Sequence, residues 1–238
     1  MAALFLPCGD TGLTVQFGDG IDRDLNRRVL RICAAVEMAG LPGIVETVPT
    51  YRSLTIHYDP LQTSQTDIIE ALRPLLEPVP DDGAATGKCW RIPVCFDGED
   101  FAPDMAHVAE WANMDPGAVI DIMTSVTHYV YMIGFAPGLP YMGDLPESLN
   151  IPRRKDPRPG VPAGGVLIAT GLTVIYPVTN ATGWHMIGQT PVPLFDVNAD
   201  DPLLLSPGDT MTLVRIDETE FRSIEEQVRA GTFDTNEH

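Results

Sequence analysis

The sequence predicts two domains: an α+β N-terminal domain of ferredoxin-like type over residues 1–84, and a β-rich domain over residues 85–238. Three observations support this division. The first part of the chain gives the element order β-α-β-β-α, which is typical of small α+β domains. A stretch rich in Pro, Gly and Asp, residues 77–88, follows as the candidate linker. Beyond it, short apolar runs separated by Gly and Pro turns favour a closed barrel or a sandwich.

Hydrophobic periodicity predicts the elements of the first domain. The run LTVQF, beginning at Leu13, alternates apolar and polar residues and predicts a strand. Apolar residues at helical spacing then predict a helix over 22–40 that Gly40 ends. Two strands follow around Pro49. A second helix comes next, which we expect Thr66 to cap and Pro74 to end or kink.

The second domain is predicted to be mostly strands. CWRIPVCF predicts its first strand, and two short helices follow over 104–114 and 116–125. Further strands are predicted in the runs THYVYMIGF, GGVLIAT, LTVIYPVT, WHMIGQT and TMTLVRI. The last element is a helix capped by Asp217, because acidic residues in a first turn suit the positive end of the helix dipole.

Composition argues against several classes of function. The 238 residues carry a formal net charge of -18, which disfavours nucleic acid and anionic membranes as partners. The four cysteines lack CxxC spacing and the start lacks a basic signal region, so we expect a cytoplasmic protein with reduced thiols. The sequence contains no nucleotide-binding loop, serine elbow or paired metal-binding histidines. We therefore expect no metal, and no cofactor bound through a recognisable motif.

The positive charge of the second domain is concentrated in one loop. Between Ile92 and Val214 every Lys and Arg falls within six positions, at Arg153, Arg154, Lys155 and Arg158. Flanking prolines predict an extended, stiff loop. Because a guanidinium group can hold a carboxylate or phosphate with two hydrogen bonds, one interpretation is an anion-binding or partner-binding rim. The other is a solvated loop paired with the protein's own carboxylates.

Aromatic and histidine residues near this loop are the other candidate site residues. Phe135 and Tyr141 stand beside Pro-Gly turns, where aromatic side chains line pockets and interfaces or close the end of a barrel. Trp184 and His185 are adjacent, so strand alternation predicts that they face opposite sides. His185 and His128 are weak candidates for acid–base catalysis, because a lone histidine is more often structural or solvated, and the catalytic residues stay unassigned.

Several of these motifs occur together and in order. GFAPGLPYMGDLP, IPRRKDPRPGVPAGG and NATGWHMIGQTPVPLFD lie within residues 134–196, and CGDTGLTVQFG opens the chain. This combination resembles the KipI family, also called allophanate hydrolase subunit 1 and now often assigned as the B subunit of 5-oxoprolinase. The resemblance implies a pocket for substrate or an anion, or a subunit interface, formed by Phe135, Pro137, Gly138, Arg153, Arg154, Arg158, Pro162, Gly164, Tyr176, Gly183, Trp184, Gly188 and Thr190. Tyr141, singled out above from its position beside a Pro-Gly turn, is a further candidate for this surface. Gln189 departs from the pattern, which has Arg at that position.

The resemblance also implies a fold, a reaction and partners. The fold would be a small α+β domain followed by a cyclophilin-like β-barrel. The protein would be a non-autonomous subunit of an ATP-dependent 5-oxoprolinase that converts 5-oxo-L-proline to L-glutamate. Its partners would be a cyclophilin-like subunit of the subunit-2 or KipA type and a LamB/YcsF-type subunit. Two alternatives remain: a carboxyltransferase-type subunit of a urea or allophanate system, and an inhibitor of a histidine kinase.

Overall fold

Contacts between residues divide the chain into two units, Met1–Thr86 and Gly87–His238. This computed structural model describes residues 3–77 and 87–233. Most of the predicted linker, together with the predicted boundary at residue 84, therefore lies outside the described residues. Within the described part, no helix is both long and apolar enough to cross a membrane.

The first unit is a four-stranded antiparallel sheet with helices. Its elements are β1 (Leu4–Pro7), β2 (Gly12–Gln16), α1 (Arg23–Ala39), β3 (Ile44–Pro49), β4 (Ser53–Tyr58) and α2 (Gln65–Leu72). The strand order is β1-β2-β4-β3, and the apolar faces of β2 and β4 pack with α1 around Leu13, Ile56 and Ile32. These segments stabilise one another because alternate strand residues and one face of the helix are buried together.

Two details of this unit differ from the sequence prediction. Strand β1 was not expected, because LFLP does not alternate; it pairs with β2 at the sheet edge. The cap of α2 is Ser64, not Thr66: the Asp67 backbone N–H donates to the Ser64 hydroxyl, and the Asp67 carboxylate accepts from the Ser64 N–H. Pro74 acts as predicted, since α2 ends at Leu72 and a short 3-10 turn, Arg73–Leu76, follows.

The second unit contains a closed seven-stranded barrel, which decides between the two predicted β architectures. The barrel strands are β5 (Cys89–Cys95), β6 (His128–Ile133), β7 (Pro140–Met142), β9 (Gly165–Ala169), β10 (Leu172–Ile175), β12 (His185–Gln189) and β13 (Thr210–Ile216). They pair in the order β10-β7-β6-β13-β5-β12-β9, and β9 pairs again with β10 to close the ring. All neighbours are antiparallel except β5 and β13, which are parallel.

Helices and a small hairpin sheet complete this unit. One face of the barrel strands packs with two of the helices around Ile187, Val108 and Met123, and the other face forms a separate cluster around Leu167 and Trp184. The short antiparallel pair is formed by β8 (Arg158–Val161) and β11 (Asn180–Thr182). The helices are α3 (Gly98–Phe101), α4 (Met105–Ala112), α5 (Pro116–Ser125) and α6 (Glu218–Ala230), and Asp217 caps α6 as predicted.

Gly164 lies where two backbone segments meet closely. Its φ is +79°, its N–H donates to the Tyr176 carbonyl at 2.7 Å, and a β-carbon at this position would overlap the Thr190 carbonyl oxygen. Gly160, four residues earlier, has a φ of +64° but nothing within 4 Å of such a β-carbon. The two glycines therefore share the left-handed backbone and differ in the space around it.

We predict that Gly164→Ala lowers the free energy of unfolding by about 3 kcal/mol, because left-handed strain and steric overlap add. Gly160→Ala should lower it by only about 1 kcal/mol, since the strain acts alone. Urea denaturation of the two variants measures both values. Equal losses would show that the close approach at Gly164 has no energetic weight.

Candidate functional site

A buried carboxylate, Asp104, joins the start of α4 to β12 and to the proline-rich loop. Asp104 is 2% exposed. Its backbone N–H donates to the Met186 carbonyl at 3.0 Å, and its Oδ2 accepts the Met186 N–H at 2.9 Å. Its Oδ1 accepts from Arg154 and, at 2.6 Å, from Arg158. Asp104 was not predicted as a site residue, because an aspartate directly before a helix is indistinguishable in sequence from an ordinary helix cap.

The loop therefore uses its cations in two ways. Arg154 and Arg158 are half-buried and form ion pairs with Asp104, as the self-paired interpretation of this loop expects. Arg153 instead lies over the Trp184 ring, 5.4 Å from its centroid, and Lys155 is exposed. The Arg154 backbone N–H donates to the Gly183 carbonyl at 2.7 Å, which fixes the loop beside the start of β12. One carboxylate faces two guanidinium groups, so positive charge remains in excess.

A groove of about 390 Å³ lies between α4 and this loop. His107 and Trp111 of α4 contribute to one wall, and His185 contributes from β12. The loop side consists of Ile151, Pro152, Arg153, Arg154, Lys155 and Asp156. The groove thus combines aromatic rings with a cationic edge, which is a common composition of pockets for small polar ligands.

His185 is the most constrained group of the groove. Its side chain is buried, its ring stacks on His107 with centroids 5.2 Å apart, and its Nε2 is 2.9 Å from the Pro152 carbonyl oxygen. Because a carbonyl only accepts, Nε2 carries the proton and Nδ1 of the neutral ring carries a lone pair. Nδ1 is buried without a hydrogen-bond partner. A buried polar atom without a hydrogen-bond partner costs about 1–3 kcal/mol.

Burial lowers the pKa of His185 below 6.5, because the charged imidazolium would lose hydration. Its hydrogen bond to the Pro152 carbonyl and the nearby Asp104 carboxylate oppose this effect, whereas His107 and Arg154 add to it. His185 is therefore held neutral at physiological pH. A neutral imidazole with an open lone pair can accept a hydrogen bond or a proton.

Trp184 faces away from the groove, as strand alternation predicts. It packs in the second apolar cluster with Leu139, Tyr176 and Met186. The Tyr141 ring meets it edge-on at 6.3 Å, and burial raises the Tyr141 pKa. Trp184 and Tyr141 form a second cluster on this side, and Arg153 contacts both places, since it lies over Trp184 and also lines the groove.

The other predicted site residues do not line the groove, although hydrogen bonds bring Gly164, Tyr176 and Thr190 together. Phe135 is 71% exposed at the turn between β6 and β7, with a φ of +68°. His128 is buried with its Nε2 3.1 Å from the Met123 carbonyl, so it contacts α5 and does not line the groove. In the same unit Pro137 is exposed, Pro162 is half-buried, and Gly138, Gly164 and Thr190 are buried. Within residues 3–77 and 87–233, no three His, Cys, Asp or Glu side chains are grouped to hold a metal ion.

Comparison with known proteins assigns the family. The profile of the carboxyltransferase domain, subdomain C and D, matches residues 3–205. The B subunit of 5-oxoprolinase from Bacillus subtilis (strain 168) is 36% identical over 233 residues, which cover 92% of this chain and 95% of that protein. The chain belongs to the 5-oxoprolinase B-subunit family. A second member, from Escherichia coli O157:H7, is 34% identical over 87% of this chain and 93% of its own length.

Solved structures support the fold of this member of the 5-oxoprolinase B-subunit family. The crystal structure of TTHA0988 superposes with a TM-score of 0.76 at 32% identity and covers 87% of this chain, which spans 40% of that longer protein. The urea carboxylase of Kluyveromyces lactis superposes with a TM-score of 0.78 over 98% of this chain and 23% of its own. Its sequence identity is 21%, so this likeness concerns the fold alone.

We predict that Asp104→Ala lowers the free energy of unfolding by about 3 kcal/mol, because it leaves two guanidinium groups without their buried partner. Chemical denaturation measures the loss. Asp156→Ala is the matched control: that side chain is exposed in the same loop, so its removal should change stability by no more than about 0.5 kcal/mol. A loss at Asp104 no larger than at Asp156 would contradict the anchoring role.

We also predict that His185 makes the fold acid-sensitive. The unfolded chain protonates this residue near pH 6.5, whereas the folded protein does so only at lower pH, so acid favours unfolding in that interval. The stability advantage of the wild type over His185→Gln should therefore shrink as the pH falls from 8 to 5. Urea titrations across this range measure it, and a constant difference would show that His185 titrates alike in both states.

Proposed function

We propose that this chain is a non-autonomous subunit of an ATP-dependent 5-oxoprolinase that converts 5-oxo-L-proline to L-glutamate. The observation that carries the proposal is the similarity to the B subunit of Bacillus subtilis 5-oxoprolinase over 92% of this chain and 95% of that protein. An activity that belongs to a complex is consistent with a chain that lacks a nucleotide-binding motif of its own.

The geometry is compatible with this role. The groove beside Asp104 offers a cationic edge for the substrate carboxylate and a neutral histidine that can accept a proton or a hydrogen bond. We further propose that the partners are a cyclophilin-like subunit of the subunit-2 or KipA type and a LamB/YcsF-type subunit. Phe135 is a candidate contact residue, because an exposed aromatic ring on a turn contributes strongly to an interface when a partner covers it.

The finer fold assignments belong to the same proposal. We assign the barrel to the cyclophilin-like type and the first unit to the ferredoxin-like type. The second assignment is supported by β4 lying between β2 and β3, with α1 connecting β2 to β3, which is the central arrangement of that fold. A cytoplasmic location, expected from the cysteine pattern, stays a prediction.

A second candidate is a carboxyltransferase-type role in a urea or allophanate system. It is favoured by the family profile and by the fold likeness to the Kluyveromyces lactis urea carboxylase. The 21% identity of that structure gives it less weight than the near-full-length similarity to the B subunit of 5-oxoprolinase.

Reconstitution tests the proposal. We predict that the purified chain, mixed with the two partner subunits from its own genome, 5-oxo-L-proline and ATP, produces glutamate and ADP. Leaving out this chain, either partner or ATP should each reduce glutamate to the background level. Glutamate formation by the two partners alone would exclude the role of this chain, and urea-dependent ATP hydrolysis in the presence of a biotin carboxylase would support the second candidate.

A further inference from the structure

Strand β3 forms one edge of the sheet of the first unit. The strand order β1-β2-β4-β3 gives it one neighbour, β4, so no strand of the described chain covers its other side. Such an edge presents backbone N–H and C=O groups with which another extended segment can pair. The register with β4 shifts between Ile44 and Glu46, and Val45 at this irregularity is 71% exposed. Pro49 cannot donate, so it limits pairing to the residues before it.

A cleft of about 390 Å³ lies between this edge strand and the last turns of α1. We call it the α1–β3 cleft, and its lining residues are Val36, Glu37, Gly40, Leu41, Ile44, Val45, Glu46 and Thr47. Thr47 contacts Glu37 of α1, so its side chain lies on the side of the sheet that α1 covers. A segment that pairs with β3 would direct every second side chain to this same side, and therefore towards the cleft.

The charge of this region has one sign. Between Arg31 and Arg52 the chain has no Lys or Arg, and its charged residues are Glu37 and Glu46. The Thr47 hydroxyl donates to Oε1 of Glu37 at 2.6 Å, which holds this carboxylate beside β3. The residues that line the cleft therefore provide two carboxylates and no cation to balance them.

The end of α1 strengthens the preference for a cation. The helix ends before Gly40, which has a φ of +54°, and its last turn has no basic residue. The carbonyl groups at the C-terminus of a helix have a partial negative charge, so Glu37 is unfavourably placed for the helix itself. The arginines of α1 all lie before Ile32. A Lys or Arg side chain supplied by a partner would balance both Glu37 and the helix end.

We propose that the α1–β3 cleft binds an extended basic segment of a partner protein, which pairs with the edge of β3 and places a Lys or Arg side chain between Glu37 and Glu46. In this mode of recognition the backbone hydrogen bonds give affinity, and the sites for alternate side chains give specificity. Val45 adds an exposed apolar contact beside the two carboxylates.

Charge decides between this occupant and a second copy of the chain. If two β3 edges paired with each other, each would bring Glu37 and Glu46 to the other, and like charges brought together oppose association. A basic segment meets the same surface with the opposite charge. The proposal concerns the first unit and uses no residue of the groove beside Asp104, so it does not rest on the proposed 5-oxoprolinase activity.

Peptide binding to the full chain tests the proposal. The probe is a short peptide of alternating valine and lysine with blocked ends, and the charge control has glutamate in place of lysine. We expect the lysine peptide to shift the NMR signals of the backbone amides in β3 and at the end of α1, and to bind about tenfold or more tightly than the glutamate peptide. N-methylation of the peptide backbone should abolish binding, because it removes the donors needed for strand pairing.

Substitutions then place the peptide in the cleft. Glu46→Gln and Glu37→Gln each remove one charge and keep a hydrogen-bonding side chain, and each should weaken binding of the lysine peptide about threefold or more. Glu70→Gln is the matched control, because Glu70 is an exposed acid of α2 in the same unit that does not line the cleft. It should leave the affinity unchanged.

Four results would overturn the proposal. Equal weakening by Glu46→Gln and Glu70→Gln would show only a general attraction between an acidic chain and a basic peptide. Equal binding of the glutamate or the N-methylated peptide would exclude the charge preference or the strand pairing. Absence of shifts at millimolar peptide would exclude the site. Shifts of the same signals that depend on the concentration of the chain alone would assign the edge to a second copy.

Discussion

The second unit depends on one buried carboxylate at the junction of three segments. Asp104 contacts the backbone of β12 at Met186 and both guanidinium groups of Arg154 and Arg158, and it directly precedes α4. A charge this deeply buried is tolerated only with partners that satisfy both of its oxygens. Because Asp104 must contact these partners, it sets the distance between the proline-rich loop and α4. That distance is the width of the groove.

The proline-rich loop and the start of β12 lie side by side, and successive side chains of the two segments have different surroundings. Arg153 lies over Trp184 and also lines the groove, whereas Arg154 lies near His185, and the hydrogen bond between the Arg154 N–H and the Gly183 carbonyl fixes this register. A shift of one residue would exchange the faces and place an indole where the imidazole lies. The backbone hydrogen bonds between these two segments thus determine which side chains line the groove.

The sequence was sufficient for features that depend on local pattern. Alternation and helical spacing predicted most strands and helices, and Pro74 and Asp217 act as local chemistry requires. It was insufficient where distant segments meet. Asp104 lies some fifty residues from its arginine partners, and its role follows only from the fold. For the same reason the sequence could leave two interpretations of the loop open, but could not show that paired and surplus cations coexist in it.

The coexistence of paired and surplus cations affects both the stability of the loop and its charge. If every cation of the loop were paired internally, the groove would be electrostatically neutral; if none were, their repulsion would open the loop. Two guanidinium groups on one carboxylate hold the loop in place and leave charge uncompensated. Preorganised charge of this kind needs no rearrangement when an anion arrives. The neutral state of His185 belongs to the same arrangement, because burial and, to a smaller extent, Arg154 oppose its protonation.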